Sequence, residues 1–112
     1  MRILFVENHA IFARTVVEQL LSRHDVVICP SLAEARRAVQ RVDFDVALVD
    51  YDLDDGKGDT LVAELRGRRP RLRIVAVSAH DGGNERLRRA GADATCRKAG
   101  MSEIERVLDD RP

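Results

Sequence analysis

The residues best equipped for chemistry in this 112-residue chain sit where apolar runs stop. The run Asp45–Val49 ends on Asp50, and Asp52, Asp54, Asp55 and Asp59 follow closely. Arg2–Val6 ends on Glu7 and Asn8. Leu72–Val77 ends on Ser78, with His80 just beyond, and Ala94–Arg97 ends on Lys98. Carboxylates gathered at one place repel one another unless a cation sits among them. A set of oxygen donors points to a hard ion, of which Mg²⁺ is the usual one. Arginine outnumbers lysine 17 to 2, which draws attention to Lys57 and Lys98.

The elements that must position these groups can be read from the apolar pattern. Arg2–Val6, Asp25–Cys29, Asp45–Val49, Leu72–Val77 and Ala94–Arg97 are short apolar or β-branched runs and read as five strands. Between them, Phe12-Ala13, Val16-Val17 and Leu20-Leu21 recur at helical spacing, as do Leu32, Ala35, Val39 and Val42. Ser31 with Glu34, and Ser102 with Glu105, match the Ser-x-x-Glu capping box. A third helix carries Leu61, Val62 and Leu65 and stops near Gly67 and Pro70. Gly82-Gly83 is expected to interrupt the chain before a short helix holding Leu87 and Ala90. Continuous apolar strands alternating with helices predict an α/β fold, a doubly wound parallel sheet covered on both faces. Such sheets bind ligands beyond the carboxyl ends of their strands, where all the polar residues named above would meet.

Composition narrows the function classes. The length suits one domain, here taken as residues 1–112. Formal charge is zero and Trp is absent, which speaks against general nucleic-acid affinity and against an aromatic stacking platform. Cys29 and Cys96 lie in apolar runs with no Cys-x-x-Cys pair, so they read as buried thiols rather than zinc ligands. His9 reads as a helix-start residue and His24 as a surface one. No apolar stretch reaches the ~20 residues of a membrane span, and the N-terminus lacks signal-peptide architecture, so a cytoplasmic protein is expected.

This constellation resembles the response-regulator receiver domain, the phospho-accepting module of two-component signalling. The resemblance implies a (βα)5, CheY-like and flavodoxin-like sheet with strand order 2-1-3-4-5. It implies a phosphoryl group accepted on Asp50, with Glu7, Asn8 and Asp50 around Mg²⁺; the acid-rich loop itself points to Asp52, or else Asp54, as restoring charge there. It implies that Ser78 and Lys98 engage the phosphoryl oxygens, with Ser78 and Thr95 at the switch positions and Asp52 and His80 where phosphoryl lifetime is tuned. Gly58 matches the glycine of the loop after the acceptor, and Gly91-Ala92 the motif before the fifth strand. The implied partners are a histidine kinase or phosphotransfer protein and a downstream protein target. A homodimer through the fourth helix, fifth strand and fifth helix is a further expectation. Neither direct nucleic-acid binding nor a membrane contact is expected. Such a protein is no classical enzyme; it would catalyse its own phosphotransfer and dephosphorylation.

Three positions depart from the family pattern. Asn8 brings no charge where a second acid is usual, so Mg²⁺ binding should weaken. Thr95 stands where an aromatic ring usually swings. Ala99 stands where proline usually follows the lysine, and a trans bond with a displaced Lys98 is expected there. Together they support an alternative reading, a receiver-like interaction module that works without phosphorylation. Asp50-Tyr51-Asp52 also resembles the Asp-x-Asp motif of haloacid-dehalogenase-type phosphohydrolases, but that family carries it on the first strand. An FMN-binding role meets an acid-rich rim that would repel the flavin phosphate.

Overall fold

The computed structural model describes residues 1–109. Five parallel strands form one sheet: β1 (Arg2–Val6), β2 (Asp25–Cys29), β3 (Val46–Val49), β6 (Arg73–Ser78) and β7 (Ala94–Arg97), in the order β2-β1-β3-β6-β7. This is the expected 2-1-3-4-5 arrangement. A small antiparallel ladder that the sequence pattern did not reveal, β4 (Asp52–Leu53) with β5 (Gly56–Lys57), interrupts the numbering. Five α-helices connect the strands: α1 (Ala10–Leu20), α2 (Leu32–Arg41), α3 (Gly58–Arg68), α4 (Asp81–Ala90) and α5 (Ile104–Asp109).

The strand residues alternate between two cores, as the period of two requires. Ile3, Phe5, Val46, Leu48, Val75 and Val77 pack with Val16, Ile104 and Leu108 beneath α1 and α5. Leu4, Val6, Ala47, Val49, Ile74 and Ala76 pack with Leu32, Leu61, Leu65 and Leu87 beneath α2, α3 and α4. Both faces are thus covered, and the carboxyl ends of the strands form a polar rim. Register aligns that rim. Val6 lies opposite Val49, and Val49 opposite Ala76. Beyond the strands, Glu7 N donates to Cys29 O and Asp50 N to Val6 O, each at 3.0 Å. The two acids are therefore anchored by their own backbones, in adjacent strands, at the same level.

Local signals explain where helices begin, and also where the sequence reading erred. Ser31 Oγ accepts from Glu34 N at 3.1 Å, the expected first half of the α2 cap. The second Ser-x-x-Glu pattern does not act as a box. Ser102 falls inside a 3-10 turn, Lys98–Glu103, and the Glu105 carboxylate goes instead to Arg23 and His24. That pairing leaves only 9% of the His24 side chain exposed, so His24 is not the surface residue expected from sequence. Gly82 and Gly83 do not break the chain but form part of the first turn of α4. The bonds around Lys98 and Ala99 are trans, in line with the sequence. Among the described residues, no helix is long and apolar enough to cross a membrane.

Candidate functional site

Asp50 is 4% exposed and Glu7 fully buried, and neither lies in the apolar interior without a partner. Lys98 reaches back from the end of β7 to both. Its Nζ lies 3.0 Å from Asp50 Oδ2 and 2.7 Å from Glu7 Oε1. The contact with Glu7 is short but poorly directed, which leaves Oε1 without a proper hydrogen-bond donor. The ammonium also stands 5.0 Å from the centre of the Phe12 ring, a cation–π distance. Ala99 in place of proline therefore does not remove the lysine from the acids.

The electrostatics follow from this crowding. Burial pushes the Asp50 carboxyl above the usual carboxylate range, and the neighbouring Glu7 charge adds to it; Lys98 and the Tyr51 amide act in the opposite direction. Tyr51 N donates to Asp50 Oδ1 at 2.8 Å. For Lys98, burial favours the neutral amine, but the Glu7 and Asp50 carboxylates outweigh it and hold the pKa above the ordinary lysine value. The cluster carries two acids against one ammonium.

Close backbone packing fixes Asp50. A Cβ on Gly58 would fall 1.9 Å from Asp50 O, so no side chain fits where α3 starts. Gly58 N donates to Tyr51 O at 2.7 Å, folding the loop back against β3.

The remaining predicted residues take varied places. Ser78 is buried at the end of β6, and its Oγ accepts from His80 N at 3.3 Å. His80 is exposed and stands at the N-cap of α4. Thr95 is exposed on β7. Asn8 Nδ2 donates to Asp54 Oδ1 at 3.1 Å, while Asn8 Oδ1 is buried without a hydrogen bond. Asp52 is exposed and its carboxylate is engaged by Lys57 across the β4/β5 ladder. Of the acid-rich loop, Asp55 serves as a cap from outside the helix: its carboxylate accepts from Leu32 N at 2.8 Å and Ala33 N at 3.0 Å, at the start of α2.

The structure adds a residue that the sequence reading had assigned only to the helix start. His9 Nδ1 lies 3.1 Å from Glu7 Oε2, and His9 N donates to the same oxygen at 3.1 Å. Ligand atoms of Glu7, His9 and Asp50 all lie within 4.8 Å of one another. That spacing suits a single divalent ion once Lys98 yields its place on Glu7, and the buried Asn8 oxygen, which has no hydrogen bond, is a compatible donor type.

Comparison with known proteins agrees with the geometry. The family model for the response regulator receiver domain matches residues 3–106. Sensor protein TorS of Escherichia coli is 34% identical over 82 residues, which is 71% of this chain but 9% of that protein. The alginate biosynthesis transcriptional regulatory protein AlgB of Pseudomonas putida is 32% identical over 80 residues, 70% of this chain and 18% of the relative. The chain thus spans less than a fifth of the length of these curated relatives. Among solved structures, the receiver domain of sensor histidine kinase PA1611 from Pseudomonas aeruginosa, described with a magnesium ion coordinated in its active site cleft, superposes with a TM-score of 0.85 at 26% identity, covering 96% of this chain and 93% of that one. The response regulator TrrA from Thermotoga maritima superposes with a TM-score of 0.86 at 18% identity, covering 96% and 95%, a likeness of fold. The same parallel sheet is shared with these solved structures, and this chain belongs to the response regulator receiver domain family.

Proposed function

We propose that residues 1–112 act as one receiver unit in a phosphorelay and that Asp50 accepts a phosphoryl group from a histidine kinase or phosphotransfer protein. The observation that carries this reading is the Lys98 ammonium held 3.0 Å from a buried Asp50 carboxylate. A carboxylate is a weak nucleophile, but phosphoryl transfer requires little beyond alignment and charge neutralisation. In the transfer, one Asp50 oxygen bonds to phosphorus while the bond from phosphorus to the donor breaks. Lys98 stabilises the charge that the oxygens carry. A divalent cation, Mg²⁺ on the sequence reading, would be held by Asp50 and Glu7, with the Asn8 oxygen and Asp52 as the further candidates, and would supply additional neutralisation. Ser78 would turn its hydroxyl toward the new group, and the change would pass to a downstream protein target through α4. Thr95 is exposed on β7, and His80 and Asp52 would be the residues that tune phosphoryl lifetime. A homodimer through α4, β7 and α5 is the proposed assembly.

The test is incubation with Mg²⁺ and acetyl phosphate, or with beryllofluoride. A mass gain of one phosphoryl group on Asp50, absent in Asp50→Asn, supports the reading. Silence in both, also with a cognate kinase present, favours a phosphorylation-independent interaction module. The specific observations favouring that second reading are Asn8, whose amide is tied to Asp54, and the exposed Thr95 in place of a ring.

A further inference from the structure

The first turn of α1 contains a feature that the acceptor reading leaves unused. His9 occupies the N-cap position, where Ser, Thr, Asp or Asn usually supply a side-chain oxygen to the helix amides. Its ring makes no capping bond. It turns instead to Glu7, with Nδ1 at 3.1 Å from Oε2. Its side chain is 69% exposed, so a ligand bound there would keep open positions for water, whereas Glu7 beside it is fully buried.

A buried carboxylate with a poorly directed donor on one oxygen and an imidazole on the other is an unusual resting arrangement. Lys98 lies against Oε1 and His9 against Oε2, and Asp50 completes the group within 4.8 Å. The neighbouring amide oxygen of Asn8 is buried and lacks a hydrogen bond. The donors that lie together are therefore two carboxylates and one imidazole nitrogen. Mg²⁺ prefers oxygen and gives up water reluctantly. Imidazole shifts preference toward first-row transition ions, whose affinities rise from Mn²⁺ to Ni²⁺.

We propose that His9 is a metal ligand through Nδ1, beside Glu7 and Asp50, and that this site takes a nitrogen-tolerant divalent transition ion in preference to Mg²⁺. This inference rests on the acceptor site above and changes which ion serves it. The imidazole adds a neutral nitrogen donor where Asn8 brings no charge, which shifts the site from hard-ion toward transition-ion chemistry.

The experiment uses untagged full-length protein. Calorimetric titration compares Mg²⁺, Mn²⁺ and Ni²⁺, and pulsed electron paramagnetic resonance on the Mn²⁺ form looks for ¹⁴N coupling. The expected result is Ni²⁺ binding at least about tenfold tighter than Mg²⁺. Nitrogen coupling should be present in wild type and in His80→Ala, and lost in His9→Ala and His9→Phe. Circular dichroism checks that the variants fold, and the two His9 replacements, one small and one retaining a ring, guard against a packing artefact. An Ni²⁺ to Mg²⁺ preference unchanged in both His9 variants, or wild-type protein without nitrogen coupling, overturns the proposal. Beryllofluoride with Mg²⁺ is run in parallel. A response there without nitrogen coupling leaves the acceptor reading standing and removes His9. Coupling without any response, with either ion, keeps His9 and removes the acceptor reading.

Discussion

Gly83 lies against Ser78 so closely that a Cβ on the glycine would stand 2.5 Å from the Ser78 oxygen. The same Cβ would meet Tyr51 Cβ at 3.1 Å and Ser78 Cβ at 3.2 Å. The first turn of α4 is thus seated directly on the serine at the end of β6 and on the residue after Asp50. With Thr95 exposed, this contact is the short physical route from the rim to α4.

Gly83→Ala should therefore destabilise the protein, by about 1–3 kcal/mol from overpacking. Gly82→Ala is the contrast. Its Cβ would meet nothing within 4 Å, so it should be neutral or gain up to about 1 kcal/mol from helix propensity. Urea midpoints of the two variants measure the difference. Equal midpoints would mean that α4 can shift off Ser78 freely.

Lys98→Met should leave two buried carboxylates without their counterion. A loss of about 3–5 kcal/mol is the usual cost of removing one partner from a buried pair. Asp50→Asn removes one of the two repelling acids and should be neutral or stabilising at pH 7. The pH dependence has a definite sign. The folded Asp50 pKa is raised by burial and by Glu7, so the folded state holds this proton to higher pH than the unfolded chain. Its contribution is favourable below the unfolded value of about 4 and is lost as pH rises through the folded one. Denaturation midpoints from pH 3 to 7 should show wild type losing ground relative to Asp50→Asn as pH increases.

Asp55 gives the opposite slope. Its pKa is lowered by the amide hydrogen bonds from Leu32 and Ala33. Its contribution is present above about pH 4 and is lost as pH falls through the folded value below that. Asp55→Ala should lower the midpoint at pH 7 and narrow its gap to wild type under acid. Amide exchange at Leu32 and Ala33 should speed up in the same variant.

Arg66 ties the end of α3 to the approach to β7. Its guanidinium donates to Gly91 O at 3.1 and 2.9 Å, to Pro70 O and Leu72 O at 2.9 Å, and to Asp93 Oδ2 at 2.7 Å. Lysine cannot reproduce that planar fork. Arg66→Lys should cost about 1–2 kcal/mol, read from thermal or urea unfolding, because the partly buried Gly91 and Leu72 carbonyls lose their donors.

The sequence was most legible where burial and period act together. The apolar runs became strands of the parallel sheet, and the inner strands β1, β3 and β6 are the most continuously apolar because both their faces are covered. The polar residues that stop those runs fell at one rim for the same reason. Legibility failed where a side chain depends on something distant in the chain. Ser102 and Glu105 have the same spacing as Ser31 and Glu34, yet Glu105 is drawn to His24 across the fold. Asp52 carries the right charge for the rim, but Lys57 on the next strand engages it. His9 shows its partner only once Glu7 is folded back beside it. Gly82-Gly83 resembled a break because a glycine demanded by close packing and a glycine demanded by a turn look alike in one dimension.

One last implication comes from the lysine that touches both acids. A resting pocket of this kind is not a vacancy awaiting cargo; it is already plugged by its own cationic stopper. An anion placed on Asp50 would compete with Glu7 for that stopper. The arrival would thus be an exchange of partners, and its energy would depend on how willingly a fully enclosed glutamate gives up its neighbour.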